Sequence, residues 1–329
     1  MTKTEEILDT LREKFGPKTE VVALAADASV RRFFRLRPPD GSPLVAMVDP
    51  SGGASAVNRM VSARNCLDGA GIRVPRIVFR DDSRALLVFE DLGDLLLVDA
   101  LRSAEHERAA LWYREAGRIA AAVANLKISE TASCLQNPRL DEAALYRELE
   151  FFIEHDLLAR RGVGDRSLVN AAREACREVA ARSAAPGLAY AHRDFHARNL
   201  MVLEDRGLAV LDFQDLRPAP PYYDLASLVR DPYVEPSAML EAAAREAFAA
   251  STGEHAGGGI DEELFALVAL QRDLKAIGTY AFQARHRSRP RFLESIPAAE
   301  RLAVRAVHSL PRTLGERFES LLEDLGFAG

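Results

Sequence analysis

Two side chains that could hold a divalent cation, Asn199 and Asp212, stand at the two ends of a pattern that predicts a β-hairpin. Apolar runs at 200–203 and 208–211 are separated by a polar, glycine-containing turn at 204–207. If the last residue of the first run pairs with the first residue of the second, Asn199 stands opposite Asp212. Opposed side chains begin roughly 5 Å apart, and Mg²⁺ binds oxygen ligands at about 2.1 Å. The spacing therefore predicts a magnesium site.

A third side chain with an oxygen that could take part in the chemistry, Asp194, lies in a His192-Arg193-Asp194 sequence just before this hairpin. Phosphoryl transfer requires metal ions on the phosphates, a carboxylate that orients the acceptor hydroxyl, and in-line positioning. Asp194 is the candidate base, and Asn199 and Asp212 are the candidate metal ligands. An alternative interpretation uses His192, Asp194 and His196 as the metal cluster of a hydrolase, without a nucleotide.

The order of these residues resembles a known superfamily. The pattern H-x-D-x-H-x-x-N at 192–199, followed by an apolar hairpin and Asp212-Phe213, is similar to the kinase-like phosphotransferases that include aminoglycoside and choline kinases. Protein kinases have glycine after Asp-Phe, whereas this chain has Gln214, which favours the small-molecule branch. The resemblance implies ATP and Mg²⁺ as cofactors and a protein-kinase-like, two-lobe α+β fold.

The periodicity of the apolar residues agrees with such a fold. Short strand-like segments dominate the first part of the chain, including a fully apolar one at 85–89, and an amphipathic helix is predicted at 4–15. Long helical patterns follow at 103–127, 141–158 and 167–181. We therefore predict a small antiparallel sheet lobe at 1–93, which binds nucleotide, and a larger, mostly helical lobe at 94–329, which carries the catalytic loop, metal site and acceptor site.

Nucleotide contacts are predicted in two places. The segment after the apolar strand resembles the hinge of these kinases, which implies adenine binding by Glu90, Asp91 and Leu92. The turn at 25–29, where kinases place a phosphate-covering loop, contains no glycine. Its phosphate contacts would come from backbone N–H groups and Ser29, and Arg32 follows closely.

The usual phosphate-binding lysine is missing. Kinases carry it in a strand with the pattern V-A-I-K, and here Met47 occupies that place; no lysine lies between positions 19 and 126, and no glutamate between 51 and 89. Both members of the usual ion pair are thus lost together. Arg31, Arg32 or Arg35 could replace the lysine, or metal could neutralise the phosphates alone. Alternatively, the chain is a pseudokinase that binds nucleotide without catalysis.

A closer resemblance is to the anomeric sugar kinases of bacterial cell-wall recycling, which phosphorylate N-acetylmuramate and N-acetylglucosamine at the C1 hydroxyl. That subfamily also has methionine where other kinases have lysine. The resemblance rests on four blocks: 26–35, 47–50, 192–215 and 270–278. It implies an acceptor site in the helical lobe, formed by Arg230, Asp231, Gln271, Arg272 and Lys275. Arginine or lysine would pair with the lactyl carboxylate of muramate.

These observations predict a cytoplasmic sugar 1-kinase, with a kinase for another small acceptor, such as an aminoglycoside, as the main alternative. The 329 residues are 48% apolar and 28% charged, which is ordinary for a globular protein, and the net charge of −6 gives no basic field for nucleic acid. No apolar run approaches the roughly 18 residues of a membrane helix. Three scattered cysteines match neither a disulfide framework nor a zinc site. The oligomeric state stays open.

Overall fold

The computed structural model describes residues 3–24, 31–39, 41–49, 52–127, 137–205, 207–252 and 259–327. The chain forms two compact units. The first unit comprises Met1–Leu95, Ile128–Asn137 and Met201–Asp215, and the second comprises Leu96–Lys127, Pro138–Leu200 and Leu216–Gly329. An antiparallel sheet in the first unit and a larger, mostly helical second unit confirm the predicted fold class. The predicted boundary at Gly93 stays a prediction.

A five-stranded sheet forms the centre of the first unit, with every neighbouring pair of strands antiparallel in the order β1-β2-β3-β5-β4. Its strands are β1 (Glu20–Leu24), β2 (Arg32–Arg37), β3 (Leu44–Val48), β4 (Ile77–Asp81) and β5 (Leu86–Glu90). Helix α1 (Lys3–Phe15) precedes the sheet, and α2 (Gly53–Gly69) connects β3 to β4.

Both faces of the central strands are buried. On one face, Ala46, Val48 and Val88 pack with Ile7 and Leu11 of α1 in one apolar cluster. Because side chains alternate along a strand, the intervening Met47 points to the other face, where it is 2% exposed. Met47 pairs with Phe33 on β2 and Leu87 on β5. The strand position that carries lysine in other kinases is therefore part of an apolar layer.

Strands β7 (Leu200–Val202) and β8 (Leu208–Val210) form the predicted hairpin. The N–H of Leu203 donates to the carbonyl of Gly207 at 2.9 Å, and such a bond marks a directly opposed pair. The predicted register, which paired Leu203 with Leu208, was therefore wrong by one residue. The side chain of Asp205 accepts the N–H of Gly207 at 2.9 Å and closes the loop earlier than the turn residues alone indicated.

Helices make up most of the second unit. They are α3 (Leu97–Ala100), α4 (His106–Ala124), α5 (Glu142–Phe152), α6 (Arg166–Ala184), α7 (Tyr223–Val229), α8 (Ala238–Ser251), α9 (Glu262–His286), α10 (Ile296–Val307) and α11 (Arg312–Asp324). A π-helical turn at Ile153–Leu158 extends α5, and 3₁₀ turns lie at Ala197–Asn199, Phe213–Asp215 and Pro290–Ser295. The short strands β6 (Ala189–Ala191) and β9 (Arg217–Ala219) pair antiparallel.

Helix α9 is the core of this unit, since most of its first half is buried. It crosses α5 so closely that a Cβ on Gly278 would lie 2.6 Å from the Cα of Phe152. A Cβ on Gly117 of α4 would likewise lie 2.2 Å from the carbonyl oxygen of Ala244 on α8. These two glycines are required by backbone contact. Within the described ranges, no helix is both long and apolar enough to cross a membrane.

Candidate active site

The loop at 192–199 follows β6 and carries the predicted base. Its first end is held by Asp224, at the start of α7, whose carboxylate accepts the N–H of His192 at 2.7 Å and that of Arg193 at 3.0 Å. Burial raises the pKa of Asp224 to about 6, although His192 and these two backbone bonds act in the opposite direction. Asp224 thus has a structural role, which is to hold the catalytic loop.

Asp231, just beyond α7, holds the other end of the loop. Its carboxylate accepts the N–H of Ala197 at 2.9 Å and the N–H of Tyr233 at 2.9 Å. Asp231 is wholly buried, and the predicted contact between Asp231 and the acceptor stays a prediction. Two acids that flank one short helix therefore fix both ends of the loop.

Between these anchors, Arg193 has a left-handed backbone with φ of 79°. A bulky residue in this region is strained, and such strain persists only where the surroundings enforce it. Here the N–H of Arg193 bonds to Asp224, and its guanidinium forms an ion pair with Glu148 on α5. Glu148 also accepts from the amide of Gln271 at 3.0 Å. Sequence reasoning missed Glu148, because a single glutamate on an amphipathic helix has no distinguishing motif.

Asp194 lies between the anchored ends, with 39% of its side chain exposed. The ammonium of Lys275 on α9 is 4.0 Å from its carboxylate. Burial alone would raise the pKa of Asp194, but the positive charges of Lys275, His196 and Arg193 outweigh it and hold this pKa well below its usual range. Asp194 is therefore an ionised carboxylate at neutral pH, as a proton acceptor requires.

Asn199 closes the loop. Its amide nitrogen donates to the backbone carbonyl of Asp194 at 2.9 Å, which fixes the side chain and leaves the amide oxygen as the atom that suits a hard cation. The two predicted functional residues of the loop are thus linked directly to each other.

Asp212 follows β8 in the first unit, with a left-handed φ of 59° that aspartate tolerates better than most residues. Its carboxylate, 44% exposed, accepts from Gln214 at 2.8 Å and lies 3.4 Å from the guanidinium of Arg31. An exposed carboxylate suits Mg²⁺, which uses few protein ligands together with phosphate oxygens. Because the hairpin register is shifted by one residue, the ladder no longer sets Asn199 opposite Asp212. Asn199 also belongs to the second unit, so binding of one cation by both residues stays a prediction that rests on the family motif.

The metal-hydrolase interpretation gains no support. His192 is fully buried, with its ring edge-on to Phe195, and the His196 ring contacts Tyr233. Burial lowers the pKa of His196 more than Asp231 and Asp194 raise it. Among residues whose positions are described, no group of three or more histidine, cysteine, aspartate or glutamate side chains could hold a metal.

The acidic residues of the predicted hinge are ion-paired. Glu90 lies 2.6 Å from Arg73 and accepts the N–H of Arg76 at 2.6 Å, while Asp91 lies 2.6 Å from Arg35. These bonds shape the segment that leads to Leu92. Adenine binding by Glu90, Asp91 and Leu92 stays a prediction.

Of the predicted phosphate contacts, Ser29 lies outside the described residues. Arg32 is exposed at the first position of β2. The guanidinium of Arg35 contacts both Asp91 and Asp94. Hydrogen bonds that Arg35 donates to Asp94 and Asp91 raise the pKa of Arg35 above its ordinary value, although partial burial acts in the opposite direction.

The five predicted acceptor residues differ in accessibility. Arg230 is buried, pairs with Asp273 at 2.8 Å and donates to the carbonyl of Leu302. Gln271 is also buried, and Arg272 donates to Ser227 at 2.5 Å. Lys275 is 22% exposed. Lys275 thus has the best access to an acceptor, whereas the burial of Arg230 argues for a structural role.

An antiparallel sheet unit, a helical unit and an anchored loop with an ionised aspartate together define a kinase-like phosphotransferase. The model of the phosphotransferase enzyme family matches residues 20–262. This chain therefore belongs to the phosphotransferase enzyme family, and it is a kinase that transfers phosphate to a hydroxyl group.

Known proteins agree with this assignment. The chain is 32% identical over 313 residues to the N-acetylmuramate/N-acetylglucosamine kinase of Pseudomonas aeruginosa, covering 93% of this chain and 89% of that protein. Ethanolamine kinase of Plasmodium vivax has a TM-score of 0.67 at 11% identity, covering 91% of this chain and 85% of that chain. An ADP-bound aminoglycoside phosphotransferase has a TM-score of 0.62 at 13% identity, covering 95% of this chain and 98% of that chain. The two solved structures show the shared fold.

Proposed function

We propose that this protein uses ATP and Mg²⁺ to phosphorylate the anomeric C1 hydroxyl of N-acetylmuramate, N-acetylglucosamine or both, in the recycling of cell-wall sugars. The observation that carries the proposal is the ion pair between Asp194 and Lys275, because it places an ionised base of the anchored loop next to a cation on α9. The curated relative from Pseudomonas aeruginosa, named for both sugars and aligned over most of both chains, supports the choice of acceptor.

In this proposal Asp194 accepts the proton of the attacking sugar hydroxyl and orients its oxygen. Lys275 keeps the carboxylate ionised, and the bonds from Asp224 and Asp231 hold the loop in place. The amide oxygen of Asn199 and the carboxylate of Asp212 would bind Mg²⁺. When bound, the metal would neutralise part of the negative charge of the phosphates.

The surroundings of the loop are suited to a polar acceptor. Buried polar atoms that bond no other group within the described part of the chain include Oε1 of Gln271, Nη1 of Arg272 and the hydroxyl of Tyr223. Ser227 links two of the elements involved, since it accepts from Arg272 and donates to the carbonyl of Tyr223 at 2.9 Å, with the carbonyl of Arg193 at 3.5 Å. Buried polar atoms require partners, and the hydroxyl and amide groups of an amino sugar, or ordered water, would provide them.

The charge of the acceptor site distinguishes a sugar kinase from the main alternative, an aminoglycoside kinase. Aminoglycosides are polycations, so an aminoglycoside kinase requires carboxylates at its acceptor site. Here the cations Lys275 and Arg272 lie close to the loop, and Glu148 is already paired with Arg193. Cations at this position instead favour the lactyl carboxylate of N-acetylmuramate.

The test is to incubate the protein with Mg·ATP and each of four acceptors: N-acetylmuramate, N-acetylglucosamine, the methyl glycoside of N-acetylglucosamine, and kanamycin. We expect ADP release and loss of the reducing end with the free sugars. The methyl glycoside, whose C1 oxygen is blocked, is the matched control and should not react.

Each other outcome has a distinct meaning. Phosphorylation of the methyl glycoside would move the reaction to another hydroxyl, and turnover of kanamycin alone would favour the aminoglycoside alternative. ATP binding without turnover of any acceptor would favour the pseudokinase.

A further inference from the structure

We infer that Arg31, held by Asp49, replaces the missing lysine as the cation that binds the phosphates of the nucleotide. This inference rests on the proposed ATP-dependent function. It assigns to two residues of the first unit the role that a lysine on β3 and a glutamate on the following helix play in other kinases.

The position of Arg31 follows from the strand register. Arg32 pairs with Val48 across β2 and β3, so Arg31 and Asp49 continue the ladder just beyond the strand ends. Nε of Arg31 lies 3.3 Å from Oδ2 of Asp49, and Nη1 lies 3.4 Å from Oδ1 of Asp212. One guanidinium thus extends from a buried acid to the acid proposed to bind the metal.

Asp49 is fixed as an anchor. Its Oδ1 accepts the N–H of Gly52 at 2.9 Å, and its backbone N–H donates to the carbonyl of Ala85 at 3.0 Å. A Cβ on Gly52 would lie 2.9 Å from Oδ2 of Asp49, so glycine leaves the space that this carboxylate occupies. The Asp49 side chain is 9% exposed. A carboxylate this buried requires a cation nearby, and Arg31 supplies one.

The other arginines considered from the sequence are placed differently. Arg35 pairs with Asp91 at 2.6 Å and Asp94 at 2.7 Å, two acids at the predicted hinge, neither of which is a proposed metal ligand. Arg32 is exposed on β2. Met47, at the usual lysine position, lies in the apolar layer. The geometry therefore selects Arg31.

Arginine is well suited to this role. Its planar guanidinium presents several N–H donors in a fixed fork, which can contact a carboxylate with one edge and a phosphate with another. Lysine presents a single ammonium. Arg31 contacts Asp49 through Nε and Asp212 through Nη1, so its guanidinium lies beside the acid at which the proposed Mg·phosphate group would bind.

Calorimetric titration of ATP, ADP and adenosine provides the test, in wild-type protein and in Arg31→Met, with and without Mg²⁺. We expect Arg31→Met to weaken ATP binding by roughly tenfold or more, as expected for loss of a charged hydrogen bond. Adenosine binding should stay unchanged, because adenosine has no phosphate. Arg31→Lys should recover part of the affinity, since it keeps the charge. The matched control is Arg37→Met at the far end of β2, where the exposed Arg37 pairs with Glu20.

Three outcomes would overturn the inference. The first is ATP affinity that does not change in Arg31→Met. The second is an equal loss of ATP and adenosine affinity, which would show a merely structural role. The third is a loss that disappears without Mg²⁺, because Arg31 would then act through Asp212 rather than on the phosphates. Failure of the wild-type protein to bind ATP would instead refute the proposed function. Should Arg31→Met not fold, Arg31→Lys and wild type give the same comparison, with a smaller expected loss.

Discussion

The ammonium of Lys275 lies 4.0 Å from the carboxylate of Asp194, and the two form an ion pair between helix α9 and the catalytic loop. This pair joins a residue selected by a motif to one selected by helical spacing. It offers two roles for Lys275: to keep the base ionised, or to bind the acceptor carboxylate. The roles predict different effects on the two sugars.

Replacing Lys275 with methionine should lower kcat for both N-acetylmuramate and N-acetylglucosamine by about tenfold to a hundredfold, the cost expected for a partly buried charged contact. Removal of the positive charge also raises the pKa of Asp194, which lies well below its usual range in the wild type. The kcat/KM of the variant should therefore fall more than that of the wild type toward pH 4, beyond the fall that protonation of Asp224 causes in both proteins. Steady-state kinetics between pH 4 and pH 9 measures both effects.

The control for this substitution is Lys127→Met, which removes an exposed lysine of the same unit. A rise in KM for N-acetylmuramate alone, with an unchanged pH profile, would instead make Lys275 the partner of the lactyl carboxylate.

The variant Asp194→Asn should lose turnover while keeping nucleotide binding. The amide can still bond to its neighbours but cannot accept the hydroxyl proton, and loss of a general base costs about 10²–10⁴ in rate. Single-turnover kinetics and ATP titration separate the two quantities, with Glu107→Gln as an exposed carboxylate-to-amide control. A rate within a few fold of wild type would exclude Asp194 as the base.

Asp224 should make stability and activity respond to pH in opposite directions. Its pKa of about 6 in the folded protein exceeds the ordinary 3.8, because the site is buried. The folded state therefore binds this proton more tightly than the unfolded chain does. Lowering the pH from about 6 to about 4 should add ~2 kcal/mol of stability from this group, and that contribution is lost as the pH rises again. Activity should fall over the same descent, because the protonated acid holds the loop less well.

Urea unfolding at several pH values, in wild type and Asp224→Asn, isolates this contribution as the difference between the two curves. The asparagine variant has no proton to gain, so the difference should grow in favour of wild type as the pH falls toward 4. A difference that does not change with pH would show that Asp224 does not titrate in this range.

Gly278→Ala should destabilise the second unit by ~1–3 kcal/mol, the usual cost of overpacking. The new Cβ would lie 2.6 Å from the Cα of Phe152, and backbone cannot move aside cheaply. The matched control is Gly69→Ala near the end of α2, where a Cβ meets no described atom within 4 Å. There alanine should add up to about 1 kcal/mol. Thermal unfolding measures both, and equal effects would show that the close helix crossing is not maintained in solution.

Much of the fold could be predicted from periodicity. The apolar run at 85–89 predicted the buried strand β5, and the stripes at 103–127 and 167–181 predicted α4 and α6 within a few residues. These signals are local, so a single sequence carries them. The hairpin register was wrong because the side chain of Asp205, rather than the backbone alone, closes the loop.

The site was predicted less evenly, for a physical reason. A motif identified Asp194, Asn199 and Asp212, whose order along the chain carries the signal. Asp231, which we predicted to contact the acceptor, bonds to backbone N–H groups of its own unit. The sequence near a helix end does not show which way a side chain points, so these bonds could not be predicted. Glu148 depends on Arg193 and Gln271, which are distant along the chain, so no local pattern could reveal it.

The two acids at the ends of helix α7 have a consequence for how the acceptor of such an enzyme can change. Asp224 at the start of the helix and Asp231 beyond its end fix the catalytic loop through backbone N–H groups, which every residue except proline possesses. The shape of the loop therefore depends mainly on main-chain bonds to these two acids, while the side-chain pairs of Arg193 with Glu148 on α5 and of Asp194 with Lys275 on α9 link the loop to elements that could meet an acceptor. Such an arrangement lets evolution exchange one acceptor for another while the chemistry of transfer is inherited intact.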